Sequence, residues 1–241
     1  MPRYFIELAY KGTAYSGFQV QKNANSIQAE VEKALAVLFR QQFELTGSSR
    51  TDAGVHALQN FFHFDSPVSL TDASYQLNAI LPGDIVIKRL FPVDANAHCR
   101  FDALSREYKY NIYHQKDPFL FGTAYYFPYT AELKLLREAA SIIKEHTDFT
   151  SFSKRNTQVK SFLCNIYESE WKQEDGCLVY QVKANRFLRG MVKGLVGTML
   201  QVGRGKLTIG GFKEIIKSKD ASKADFSVPS HALFLNKVNF K

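Results

Sequence analysis

The 241-residue chain has only three cysteines, Cys99, Cys164 and Cys177, and no C-x-x-C pair. An odd and widely spaced set excludes a disulfide scaffold and a zinc ribbon, and it fits a reducing compartment. The six histidines are scattered and H-E-x-x-H is missing, so no metal site is expected. A phosphate loop of the form G-x-x-x-x-G-K-[ST] is missing too. "GRGK" at 203–206 is only a fragment of one, and Gly203 reads as the cap of the helix before it. The expectation is therefore a chemistry with no cofactor. Long apolar runs are also lacking. The most apolar helix candidate, residues 186–202, is interrupted by Arg189 and Lys193, which excludes a membrane span there. The opening "MPRYFIELAY" runs straight into an alternating strand with no signal-peptide core, so the cytoplasm is the expected location.

What is present is a globular composition, 45% hydrophobic. Lys plus Arg number 31 against 23 Asp plus Glu, a net charge of +8. Such an excess serves either a polyanionic partner, most often nucleic acid, or solubility alone.

The order of elements is readable from periodicity. Residues 4–10 alternate as a strand, and 26–39 place Ile27, Val31, Leu35 and Leu38 on one helical face, with Asn25 or Ser26 as cap. A strand at 59–64, a short helix ending at Pro82-Gly83 and a strand at 84–90 follow. The pattern then starts again. Residues 106–113 put Tyr108, Tyr110 and Ile112 on one strand face, 132–146 form an amphipathic helix, and two strands flank a turn at Asp175-Gly176. A long helix at 186–202, a shorter one from Thr208 and a last strand complete the chain. Two α+β halves are expected, 1–102 and 103–241, with a mostly antiparallel sheet and helices on one side. In the long helix, Arg186, Arg189 and Lys193 recur at i, i+3 and i+7 as a basic stripe. Gly190, Gly194 and Gly197 lie beside it; each glycine costs a helix about 1 kcal/mol relative to alanine, which implies something packed very close.

One loop does not fit a purely structural reading. "GSSRTDAGVHA" (47–57) holds Arg50, Asp52 and His56 among small residues that let a ligand approach. A lone aspartate in a turn is ordinarily an Asx-turn former or a helix cap. Arg50, two residues ahead, adds a donor for a phosphate or for displacing a base. Lys193 and Arg189 supply cations elsewhere that are able to hold Asp52 charged. A single carboxylate with no second acid fits covalent or electrostatic catalysis better than paired-carboxylate glycosidase chemistry. For His56 the expectation is a structural hydrogen bond.

"SRTDAGVHA" resembles the signature loop of the tRNA pseudouridine synthase A family. "GFQVQ", "LNAILPGDI", "HCRFDALSREYKY", "HTDFTSF", "VKANRFLRGMVKGLVGTMLQVGRG" and "HALFLNKVNF" follow in that family's order, so the resemblance spans nearly the whole chain. It implies a pseudouridine synthase fold: two ferredoxin-like halves forming one mixed sheet, with an active cleft at the centre. It implies a cofactor-free isomerase that works on tRNA as a homodimer, converting uridines at positions 38, 39 and 40 of the anticodon stem-loop. Asp52 matches the family's essential aspartate and Tyr108 its substrate-stacking tyrosine. Arg50 would fill the gap left by the flipped base, while Arg189, Lys154 and Arg155 would grip the RNA. The family's H-H-M-V-R-N stands here as Arg189-Gly190-Met191-Val192-Lys193-Gly194, so its active-site arginine falls on Lys193, which keeps the charge and loses the bidentate fork. Either Lys193 or Arg189 is then the partner of Asp52. A non-catalytic tRNA-binding or RNA chaperone protein on the same fold is the alternative.

Overall fold

The computed structural model describes residues 1–67, 70, 73–154 and 159–241. They form two compact units, one of Met1–Leu104 with Phe234–Lys241 and one of Ser105–Leu233. In the first unit, strand β1 (Arg3–Tyr10) pairs antiparallel with β3 (His56–Asp65) on one side and β4 (Ile85–Val93) on the other. A two-residue strand, β2 (Thr46–Gly47), adds to β3. Helix α1 (Ile27–Phe39) starts where Ser26 accepts from the Ala29 amide, the cap the sequence offers. It buries Ile27, Val31, Ala34 and Leu35. Helix α2 (Ser74–Ile80) is tied to β4 by the Asn78 side chain, which donates to the Ile87 carbonyl and accepts from the Ile87 amide.

Tyr4, Ile6, Leu8 and Tyr10 alternate along β1 and are all buried. Phe18 stacks at 4.5 Å on Phe62 of β3. The opposite face is not simply polar. Phe5, Phe61, Phe91 and Phe240 form an aromatic layer there, with ring centroids 5.0–6.4 Å apart. Buried among the strands on that face, Glu7 accepts from Gln59 and Arg89, and Gln59 accepts from the Val238 amide.

In the second unit, β5 (Ser105–Tyr113) pairs antiparallel with β8 (Cys177–Ala184), and β8 with β7 (Ile166–Glu174). The β7–β8 turn has Asp175 at φ 51 and Gly176 at φ 76, the left-handed pair that an Asp-Gly hairpin supplies at least steric cost. Short β6 (Tyr125–Tyr126) runs parallel to β5. Tyr108, Tyr110 and Ile112 are all buried, as their spacing requires. Trp171 and Tyr180 face helix α4 (Met191–Gly203), and the Trp171 indole meets the Met199 sulfur at 3.4 Å. The other face carries ion pairs such as Lys109–Glu174 and Lys183–Glu168. Helices α3 (Leu133–Ile143) and α5 (Ile209–Ser218, capped by Thr208) complete the unit. The outcome is α+β with mostly antiparallel pairing, as expected.

The structure differs from the expected pattern at three points. The long helix starts at Met191, not 186, because Gly190 at φ 74 breaks the helical path. Arg186 and Arg189 therefore lie on the preceding loop, and no i, i+3, i+7 stripe exists. Gly203 is the last residue of α4, and the left-handed position is Gly205, φ 71. Finally, β9 (Leu233–Asn239) pairs in parallel with β3 through His56–Phe234 and Ala57–Leu235, so residues 234–241 belong with the first unit. The glycines of α4 do mark close packing: a Cβ on Gly194 would meet Phe226 at 2.7 Å, and one on Gly197 the Asp225 carbonyl oxygen at 2.2 Å.

Candidate active site

The loop between β2 and β3 is held by its backbone from several directions. The Ser48 amide donates to the Phe61 carbonyl at 2.8 Å and the Phe18 amide to the Thr51 carbonyl at 3.1 Å. The Val55 amide donates to the Asp52 carbonyl at 3.1 Å, closing the turn, with Gly54 at φ 78. Behind the loop lies the segment after β1. A Cβ on Gly12 would sit 2.0 Å from the Val55 carbonyl oxygen, and one on Gly17 (φ 124) 3.1 Å from the Thr51 oxygen. Only glycine lets the two segments touch at these points. The outer segment is itself anchored by the Tyr15 hydroxyl, which donates to Asp84 at 2.6 Å, and by the Lys11 amide, which donates to the Asp84 carbonyl. Burial and the Asp84 carboxylate push the Tyr15 phenol strongly upward, so its proton stays on oxygen as donor.

His56 is buried and its Nδ1 accepts from the Gly12 amide at 3.0 Å, while its ring lies 4.6 Å from Phe234. This is the structural hydrogen bond expected for it. Within this clamped frame Arg50 is exposed and Asp52 half-buried. The loop thus fixes the main chain around a carboxylate and an arginine that keep access to solvent.

The remaining expected residues lie in the second unit. Tyr108 is buried on β5, with its ring edge-to-face against Phe187 at 4.9 Å. Lys193, in the first turn of α4, is half-buried and donates to the Ser230 hydroxyl at 3.3 Å. Lys154 and Arg189 are brought together: the Lys154 amide donates to the Arg189 carbonyl at 3.0 Å. The Lys154 stem lies against Gly190, where a Cβ would meet it at 2.9 Å. Arg189 itself is exposed. Arg155 lies outside the described residues. Among the described residues, no group of three or more His, Cys, Asp or Glu is placed to hold a metal ion. Among the described residues, no helix is long and apolar enough to cross a membrane.

Sequence reasoning missed these supports of the loop: Gly12, Gly17, Tyr15 and Asp84. Their one local signal is glycine at 12 and 17 in a stretch that is not a hairpin.

Known proteins supply the wider comparison. The protein family described as tRNA pseudouridine synthase matches residues 8–102 and 145–241. A tRNA pseudouridine synthase A of Parabacteroides distasonis is 45% identical over 243 residues, covering 100% of this chain and 96% of that protein. The enzyme of the same description from Porphyromonas gingivalis is 46% identical, covering 99% and 97%. That of Staphylococcus aureus strain JH1 is 35% identical, covering 98% and 90%.

Proposed function

Starting from the premise that this chain belongs to the tRNA pseudouridine synthase family, we propose that it isomerises uridine to pseudouridine on the 3′ side of the tRNA anticodon stem-loop, with Asp52 as the catalytic carboxylate. The observation that carries this reading is the clamped loop: its backbone is fixed on both sides of Asp52, and the residue itself is only partly buried. Catalytic geometry of this kind is worth orders of magnitude in rate.

The reaction breaks the N1–C1′ bond, turns the uracil, joins C5 to C1′ and releases the C5 proton. Asp52 supplies negative charge at the sugar, either as nucleophile at C1′ or as base at C2′. Lys193, or else Arg189, offsets the cost of holding that charge in a partly dry site. Flipping the base out of the stem costs a few kcal/mol of stacking and pairing. Arg50, exposed on the loop, fills the space the base leaves. Tyr108 stacks on the freed uracil, a contact worth about 1–3 kcal/mol. Lys154, Arg155 and Arg189 grip phosphates, so affinity falls steeply with salt. The enzyme acts as a homodimer in the cytoplasm, with one tRNA contacting both copies.

The test is tritium release from tRNA labelled at C5 of uridine, with carbodiimide labelling to locate the product. Asp52→Asn is expected to abolish release and leave tRNA binding nearly intact. Normal turnover in that variant refutes the role of Asp52. Binding by the wild-type protein with no product anywhere in the tRNA supports a non-catalytic RNA-binding protein instead.

A further inference from the structure

We propose that Asn60 and the Tyr10 hydroxyl are positioning residues for Asp52, forming a buried amide–phenol relay that fixes the catalytic loop from inside the first unit. The inference rests on the reading of Asp52 given above. Asn60 lies in β3, eight positions beyond Asp52, and is fully buried. Its Nδ2 donates to the Ser49 carbonyl at 2.8 Å and to the Tyr10 hydroxyl oxygen at 3.2 Å, and its Oδ1 accepts from the Phe61 amide at 2.9 Å. Both amide hydrogens are thereby committed to named acceptors. The Phe61 contact also fixes the orientation of the amide, since a flip would set a donor against a donor there and a carbonyl against a carbonyl at Ser49.

The Tyr10 hydroxyl carries the connection onward. It lies 2.8 Å from the Thr51 hydroxyl, in a buried contact between β1 and the loop. The relay therefore holds residue 49 by its main chain and residue 51 by its side chain, straddling Arg50 and ending beside Asp52. The Phe18 amide fixes the Thr51 carbonyl from the other side. Three successive residues before the aspartate thus have one available path. A network of this kind in a low-dielectric interior resists distortion, because an unpaired member costs far more than in water. A purely structural role would need no such concentration on one loop. Asn78 makes two bonds of the same kind between α2 and β4, far from the loop in sequence, and serves as the comparison.

The experiment uses the full chain with Tyr10→Phe, Asn60→Asp and Asn78→Asp. Tyr10→Phe removes one hydroxyl and leaves the ring beside Phe18. Asn60→Asp keeps the shape and sets an oxygen against the Ser49 carbonyl. For both loop variants kcat on tRNA is expected to fall about ten- to hundredfold, the scale of a small misplacement of a reacting group, with KM and tRNA Kd within twofold. Amide hydrogen exchange over Ser48–Val55 is expected to speed up in both and to stay unchanged in Asn78→Asp, which loses thermal stability and keeps kcat. If Asn60→Asp does not fold, Tyr10→Phe carries the test alone. Unchanged kcat and unchanged exchange in folded Tyr10→Phe overturn the proposal, as does a kcat loss that merely tracks melting temperature across all three. Should the wild-type chain form no pseudouridine, the functional reading fails, and exchange still decides whether the relay holds the loop.

Discussion

Gly12→Ala tests the clamp from outside. The added Cβ would lie 2.0 Å from the Val55 carbonyl oxygen and 2.7 Å from its carbon. Both are backbone atoms, so no side chain is able to swing away. Restoring even the closest tolerated contact moves one segment by at least about 1 Å, the scale set by non-bonded radii. Val55 carries the displacement directly to the turn, because its amide donates to the Asp52 carbonyl. The Gly12 amide also donates to His56, so the same shift loosens the start of β3. Overpacking of this kind costs about 1–3 kcal/mol, and a 1 Å misplacement of a catalytic group costs about a hundredfold in rate. The expected result is therefore a melting temperature lower by several degrees and a kcat for tritium release lower by about two orders of magnitude. tRNA affinity stays within about threefold, since phosphate contacts dominate it. Gly83→Ala is the control, because a Cβ there meets nothing within 4 Å and the variant is expected to match the wild type in both assays. A Gly12→Ala protein that loses stability and keeps its turnover would refute the claim that this contact positions Asp52.

Glu7→Gln is expected to cost about 1–3 kcal/mol at neutral pH, since a buried charged acceptor is lost. Burial raises the Glu7 carboxyl, but hydrogen bonds from Gln59 and Arg89 outweigh it and hold the group below its ordinary range. Its contribution is thus complete above the unfolded value of about 4.3 and fades as acid titrates the folded group. Urea melts of both proteins are expected to diverge at pH 7 and converge in acid, and a constant difference would contradict this. Gly197→Ala drives a Cβ to 2.2 Å from the Asp225 oxygen and is expected to cost about 1–3 kcal/mol in thermal unfolding.

Much of the fold was legible because its signals are local. The Ser26 cap, the Thr208 cap and the Asp175-Gly176 hairpin each declare themselves within a few residues. The start of α4 was misplaced because apolar periodicity continues through Leu188, while the decisive feature is one dihedral at Gly190. The partner of β9 was not legible, since parallel pairing with β3 joins residues about 180 apart and leaves no pattern in either strand. The candidate site divides the same way. Asp52 stands out by its neighbours in sequence, whereas Asn60, Tyr10 and Gly12 matter only through contacts the folded chain creates. Nothing about Asn60 in "LQNFFHF" separates it from any strand residue.

The pairing of β9 with β3 sets an order of assembly. The second unit is one unbroken stretch, Ser105–Leu233, and emerges whole during synthesis. The first unit must wait for Phe234–Lys241, so the half carrying Asp52 is completed last, although it is made first. Until then β3 keeps an open edge at His56 and Ala57, immediately after the Asp52 turn, and open edges invite pairing with other chains. A nascent chain stalled before Phe234 would contain Asp52 and every helix described above, yet it would lack the strand that covers the β3 edge beside the loop.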